Sequence, residues 1–272
     1  MLPQSQVGTF THVFFYERDK RMITAHKFPP GEWLVWKLID RSFRKYFDRI
    51  YFRTRGEYTG GVHDRLPVIL FANHSSWWDG YVVALVERLL GVDGYLMVEE
   101  KQLRRYFFFT WAGCFSVDRQ NSRSALQSLK YAATLLKERP GRMVCLFPQG
   151  EIFPNDQRPL VFYTGVAYLA RLMNPVLFYP LAIRIEYLAE QRPALFASVG
   201  ESILVSADET KEPLFLQTCT KRLEKALTAE LDLLRTDVLA GDYSSFRTVM
   251  QGRASTNRIF DTLLFRKQID RQ

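Results

Sequence analysis

His74 and Asp79 stand in Ala72-Asn73-His74-Ser75-Ser76-Trp77-Trp78-Asp79, an imidazole and a carboxylate in a His-x4-Asp spacing. Such a pair can move a proton if the acid fixes one ring nitrogen and leaves the other free to accept. The apolar run Val68 to Ala72 reads as a buried strand that stops at Asn73. Ser75 and Ser76 are helix N-cap types, and Trp77 to Leu90 reads as the helix they cap. His74 is therefore expected at the carboxyl end of a strand, where open α/β sheets gather their ligands. Asp79 is expected in a first helical turn, from which it can fold back to the ring.

Three more stretches follow or include apolar strands, so their polar members should converge on one edge of a sheet. They are Gly113-Cys114-Phe115-Ser116-Val117-Asp118-Arg119, Phe147-Pro148-Gln149-Gly150-Glu151, and the run from Pro175 to Leu181 with Pro180 inside it. The bland readings stand beside the chemical ones. Asp79 can simply complement a helix dipole, Arg119 can be a surface ion-pair residue, and Glu151 can be solvated loop charge. The Trp77–Trp78 pair fits core packing better than ligand contact. His12, His26 and His63 lie in polar segments and read as surface residues. Glu99 and Glu100 are expected on opposite faces of a strand and so not to act together. Gly-x-Ser-x-Gly, a Walker loop and His-Glu-x-x-His are all absent from the sequence.

With these four blocks in this order, the chain resembles the glycerolipid acyltransferase family, which includes the 1-acylglycerol-3-phosphate acyltransferases. The Asn-His-x4-Asp motif is matched by Asn73, His74 and Asp79, and a Gly-x-(Phe/Ile)-x-Val-x-Arg block by Gly113, Phe115, Val117 and Arg119. A Phe-Pro-Glu-Gly-Thr block is matched in part by Phe147, Pro148 and Gly150, and a last proline-containing strand by Tyr179-Pro180-Leu181. The resemblance covers about Tyr51 to Val205. It implies transfer of a fatty acyl chain from acyl-CoA or acyl carrier protein to a hydroxyl of a lysophospholipid-type acceptor. His74 would be general base and Asp79 its orienting acid, with no acyl-enzyme, no metal and no cofactor beyond the thioester substrate. Asn73, Ser75, Lys101, Arg119, Gln149, Gly150 and Glu151 would serve acceptor or donor binding. Backbone N–H groups at the Gly150 turn or at Ser75–Ser76 would stabilise the oxyanion.

The third block departs from the family. Gln149 stands for Glu, Glu151 for Thr and Ile152 for Arg. Losing that arginine removes a bidentate phosphate partner, and Arg158 is expected to compensate from the following loop. An acceptor without a phosphomonoester is the alternative: a glycolipid, a lyso-ornithine-type lipid or a glycosylated isoprenoid. A non-catalytic membrane-binding protein on the same fold is a third reading.

The elements that must position these groups alternate. Strands are expected at Tyr51–Arg55, Val68–Ala72, Tyr95–Val98, Cys114–Val117, Met143–Phe147, within Val176–Ile185 and at Leu195–Val199. Helices are expected at Trp77–Leu90, Gln102–Trp111, Ser122–Glu138 (capped by Ser122 or Ser124), Gly165–Met173 and Pro213–Leu239. Gly56, Gly60 and Gly61 mark turns. The pattern predicts an α/β fold, a mostly parallel sheet flanked by helices with an N-terminal amphipathic helical appendage. The expected division is 1–55 (arm and membrane-surface helix), 56–240 (acyltransferase domain) and 241–272 (C-terminal tail). Residues 1–30 read as a loosely packed arm.

In the helix expected at Glu32–Arg49, Trp33, Trp36, Ile39, Phe43, Phe47 and Ile50 share one side, with Lys37, Arg41, Arg44, Lys45 and Arg49 between them. Residues 17–55 carry 11 Lys or Arg against 5 Asp or Glu, most of the chain's net charge of +8. That composition suits an interfacial helix, and equally a helix packed on the core with a solvated basic face. The three cysteines form neither a disulfide framework nor a metal spacing. The first thirty residues have no signal-peptide core, and no run is long enough to span a bilayer. A basic chain without zinc-finger or RNA-binding signatures points to an anionic membrane surface over nucleic acid. The expected location is the cytoplasmic face of a membrane, peripheral or monotopic. An apolar groove, with Phe107 to Trp111 among its walls, would hold the acyl chain.

Overall fold

The computed structural model describes residues 22–56, 58 and 66–265. His12, His63, Gly60 and Gly61 lie outside the described residues, as does most of the expected arm. The elements run α1 (Pro29–Tyr46), β1 (Arg49–Thr54), β2 (Val68–Ala72), α2 (Asp79–Leu90), β3 (Asp93–Glu99), α3 (Glu100–Arg105), a 3-10 turn (Phe107–Ala112), β4 (Cys114–Val117), α4 (Ser122–Glu138), β5 (Arg142–Leu146), α5 (Gly165–Leu172), β6 (Val176–Glu186), β7 (Ala194–Val199), β8 (Ile203–Val205), α6 (Phe215–Ala240), β9 (Arg247–Gln251) and α7 (Thr256–Phe265).

One mixed sheet carries the order β4-β3-β5-β2-β6-β7-β1-β9, with β8 paired to β6. The pairings β3–β4, β3–β5, β2–β5, β2–β6 and β1–β7 are parallel. β6–β7, β6–β8 and β1–β9 are antiparallel. β2 lies between β5 and β6, and all five of its residues are buried. A strand covered on both faces needs apolar side chains at every position, which is why Val68 to Ala72 shows no alternation.

Alternate residues of the strands feed two cores. Ile69, Phe71, Val144, Leu146 and Phe178 face α4, α5 and α6. Val68, Leu70, Met143, Cys145 and Tyr179 face α1 and α2. The side chain of Asn121, rather than Ser122 or Ser124, caps α4 by accepting from the N–H groups of Arg123 and Ser124. The helix expected over Gln102–Trp111 breaks at Tyr106 into α3 and the 3-10 turn.

The N-terminal segment is built into the sheet domain. α1 buries Val35, Ile39 and Phe43 at every fourth residue, a narrower face than the expected aromatic stripe, and Trp33 is left 61 % exposed. β1 sits between β7 and β9, so the sheet continues across both expected boundaries, 55/56 and 240/241. Arg53 of β1 donates to Asp237 of α6 at 2.6 Å and to Ser198 of β7 at 2.7 Å. Residues 23–27 are not a loose arm. Ile23 exchanges hydrogen bonds with Ser116 of the outermost strand β4, Ala25 N–H donates to the Tyr131 hydroxyl, and His26 N–H to Thr110. They shield a strand whose edge would otherwise be open to pairing.

Candidate active site

The site grows from the end of β2. Asn73 is buried, and its amide closes the sheet rather than facing a ligand. Its Nδ2 donates to the Ile183 carbonyl at 2.9 Å and to Asn155 at 3.0 Å, and its Oδ1 accepts from the Ile183 N–H at 2.8 Å. This locks the point where the chain leaves β2. The next N–H, that of His74, donates to Gln149 Oε1 at 3.1 Å, so Gln149 ties the histidine backbone to the loop after β5.

The chain then turns through Ser75 to Trp78 before α2 starts at Asp79, two residues later than expected. Asp79 folds back. Its Oδ2 lies 2.9 Å from His74 Nδ1 and accepts from the N–H groups of Ser75 at 2.6 Å and Ser76 at 2.8 Å. Its Oδ1 accepts from Ser76 Oγ at 2.8 Å. Ser76 Oγ in turn accepts from Trp78 N–H at 3.2 Å. Asp79 thus closes a tight turn over Ser75 and Ser76 ahead of α2, and the oxygen that does so also holds the imidazole. An oxygen that accepts two backbone N–H bonds is an acceptor toward the ring as well, so Nδ1 carries the proton and Nε2 presents its lone pair. Phe147 stacks on the ring at 4.4 Å between centroids and fixes its plane.

His74 lines a cavity of about 910 Å³ over the carboxyl ends of β3, β4 and β5. The cavity reaches both faces of the sheet. One arm runs under α1 and α2, walled by Val35, Ile39, Val83, Ala84, Leu96 and Cys114. The other runs against α4 and α5, walled by Ala125, Leu126, Leu129, Leu146, Val166 and Tyr168. Of the expected aromatic wall, Phe109 lines the first arm with Ala112, while Phe107 is exposed. Trp77 and Trp78 split: Trp77 is exposed at the cavity, and Trp78 packs on Phe43 and Phe47.

Arg119, Gly150 and Glu151 line the same cavity. Arg119 is bracketed by acids, with Nε 2.6 Å from Glu99 and Nη1 3.5 Å from Glu151. Burial works against the Arg119 charge, but the Glu99 carboxylate outweighs it and raises the guanidinium pKa. The sequence shows Glu99 only as half of an adjacent glutamate pair, which hides its place at the site. β3 ends at Glu99 and α3 begins at Glu100, which pairs with Arg104 instead. Gly150 has φ +74°, and a Cβ there would come within 2.6 Å of the Tyr163 ring. Only glycine fits this turn.

Other expected residues do not reach the cavity. Lys101 is exposed on α3, and Ser75 contributes only its backbone to Asp79; neither side chain forms part of the wall. Arg158 turns away to Asp232 of α6 at 2.6 Å and does not replace the missing arginine. The expected oxyanion donors are already committed: Ser75 and Ser76 N–H to Asp79, and Gly150 N–H to the Phe147 carbonyl at 3.0 Å. Among the described residues, no group of three or more His, Cys, Asp or Glu side chains could hold a metal ion. No described helix is long and apolar enough to cross a membrane.

No curated protein matches the chain significantly. Residues 55–184 match the family model described as Acyltransferase, a stretch that includes His74, Asp79, Arg119 and the loop after β5. These residues, just under half of the chain, are what carries its likeness to the acyltransferase family.

Proposed function

We propose that this acyltransferase moves a fatty acyl chain from an acyl thioester, acyl-CoA or acyl carrier protein, to a hydroxyl of a lipid acceptor, with His74 as general base. The observation that carries the reading is His74 Nδ1 held 2.9 Å from a buried Asp79, with the same ring in the wall of a largely apolar cavity. Nε2 takes the proton of the acceptor hydroxyl as its oxygen attacks the thioester carbonyl. The C–O bond forms, the tetrahedral intermediate expels the thiolate, and the imidazolium returns its proton to the sulfur. Asp79 stabilises the imidazolium between these events. Arg119 is the cation in the cavity wall and meets charge on the substrates. An acyl-enzyme through Cys114 has little support, since burial pushes that thiol up to about 12.

The two arms of the cavity suit two hydrocarbon chains, one from the donor and one from a lipid acceptor that brings its own. Membrane contact is part of the proposal. The outer side of α1 presents exposed Trp33, Leu34 and Leu38 beside Lys37, Arg41 and Lys45, and exposed Trp77 and Ile152 stand at the cavity. Aromatic and aliphatic side chains among basic ones favour an anionic interface, here the cytoplasmic leaflet.

The acceptor head group divides two readings. A lysophospholipid bearing a phosphomonoester needs more positive charge than Arg119 offers between Glu99 and Glu151, with Ile152 at the position of the family arginine. That surplus of acid favours an acceptor without a phosphomonoester: a glycolipid, a lyso-ornithine-type lipid or a glycosylated isoprenoid. The test is a panel of these lipids and lysophosphatidate offered with labelled acyl-CoA, with acylated product read by mass spectrometry. Product from a neutral or zwitterionic acceptor, lost in His74→Ala, is expected. Preference for lysophosphatidate removes the second reading. Absence of His74-dependent thiol release with every acceptor sinks the enzymatic proposal and leaves the non-catalytic, membrane-binding one.

A further inference from the structure

The arm under α1 and α2 is largely apolar, with Tyr81, Gln102 and Tyr106 also in the cavity lining, and it carries one carboxyl on α2. Gly80, Val83, Ala84 and Glu87 follow one face of α2 away from Asp79, and all four line the cavity. Glu87 lies about 12 Å down the helix axis from Asp79. Its side chain rests on the backbone of β3, where Glu87 Cδ occupies the space that a Cβ at Gly94 would need, 2.1 Å away. Glycine at position 94 is what lets the carboxyl settle at this depth. Glu87 Oε1 is buried and has no hydrogen-bond partner among the described residues.

The charges around it are engaged elsewhere. Lys27 Nζ binds Asp93 at 2.8 Å and lies 3.6 Å from Glu32. Among the described residues the nearby Tyr58 hydroxyl is also buried without a partner, and the Cys114 thiol stays protonated. Burial pushes Glu87 up to about 8, opposed by Lys27 and reinforced by Asp93 and Glu32. At neutral pH it is mainly a carboxylic acid, with one donor and one acceptor to offer. Leaving such a group unmatched in an apolar pocket is costly, and a hydroxyl is the neutral group that answers both functions at once.

We propose that Glu87 is a specificity-determining residue that recognises a hydroxyl carried well down the acyl chain. The inference rests on the reading of this cavity as the acyl-transfer site, and it adds the class of chain transferred. Eight residues of α2, about 12 Å, separate Glu87 from the His74–Asp79 end of the arm, which sets it against the far part of a chain of about ten carbons rather than its head. A 3-hydroxyl would stay beside His74, out of reach.

The test is binding of acyl-CoA probes to the full chain, measured calorimetrically without acceptor so that no turnover is needed. The probes are decanoyl-, 3-hydroxydecanoyl- and 10-hydroxydecanoyl-CoA. The wild type should bind the 10-hydroxy chain about tenfold more tightly than the other two. Glu87→Gln should keep most of that preference, and Glu87→Leu or Glu87→Met should lose it. Equal affinities in the wild type, or a preference that survives Glu87→Leu, overturn the inference and mean that buried water satisfies the acid. The wild-type comparison decides even if the apolar variants fail to fold. Binding of all three chains alike leaves the His74 chemistry standing, whereas no binding of any probe strikes at the donor reading itself.

Discussion

Helix α2 carries a carboxyl at each end, and the two have opposite surroundings. Asp79 meets four donors: two backbone N–H groups, a serine hydroxyl and the His74 ring. Glu87, two turns on, has an oxygen with none. The Asp79 side chain and the Glu87 Oε1 atom are both buried, so enclosure alone does not separate them. The supply of hydrogen bonds does. The backbone N–H groups of the turn ahead of the helix surround the Asp79 carboxyl with donors. Near the helix end those donors are gone, and the Glu87 acid keeps its proton to about 8. One helix thus holds a donor-rich carboxyl beside the His74 ring and a donor-poor one along the apolar arm.

That contrast can be broken at either end. The largest effect is expected from His74→Ala, which should lower acyl transfer by about 10³-fold or more with the far-UV circular dichroism unchanged. A kcat close to wild type would remove the imidazole from the chemistry. Asp79→Asn converts the charged acid into a neutral amide that cannot satisfy the same donors. Transfer should fall by about 10²-fold or more, and urea denaturation should show a loss of about 1–3 kcal/mol. If Asn at 79 left both rate and stability intact, the distinction drawn here between the two acids would carry no catalytic meaning.

Glu87 sharpens the comparison through pH. An ordinary glutamate ionises near 4.5, whereas the native carboxyl holds its proton to about 8. Between those values the native state binds the extra proton, so stability should decline as pH rises through this window and level off above it. In Glu87→Leu the decline should shrink by about 2–4 kcal/mol between pH 5 and pH 8, read from urea midpoints at the two pH values. An unchanged pH slope would show that the native Glu87 titrates like an exposed acid. The smallest effect is expected from Ser76→Ala, which removes one of the Asp79 donors and the bond from Trp78 N–H. It should cost about 1 kcal/mol of stability and less than tenfold in rate; a loss as large as that of Asp79→Asn would give the serine a role of its own.

The residues that were legible in advance are those whose neighbours in space are also neighbours in sequence. Ala72 to Asp79 is a single strand-to-helix turn, so the return of Asp79 to His74 follows from the spacing. The central strand β2 announces itself as an unbroken apolar run because parallel strands cover both its edges and helices both its faces. The order of the four blocks, each after a strand, likewise carried the sheet and its active edge. Asn73, Gln149 and Glu99 were legible as polar residues near the site but not in their roles. Those roles are set by Ile183, the His74 backbone and Arg119, which arrive from other strands and loops.

By itself, then, the sequence determined the alternating architecture, the His74–Asp79 pair and the acyltransferase likeness of residues 55–184. Local geometry and hydrophobic period are sufficient for each of these. Only the tertiary structure decided that residues 23–55 are sewn into the sheet domain, that Arg158 and Lys101 stand away from the cavity, and that the expected oxyanion donors are spent. It alone brought Glu87 over Gly94 into an apolar arm. The physical reason is that a polar group's state depends on which donors and charges surround it, and packing between distant segments fixes that company.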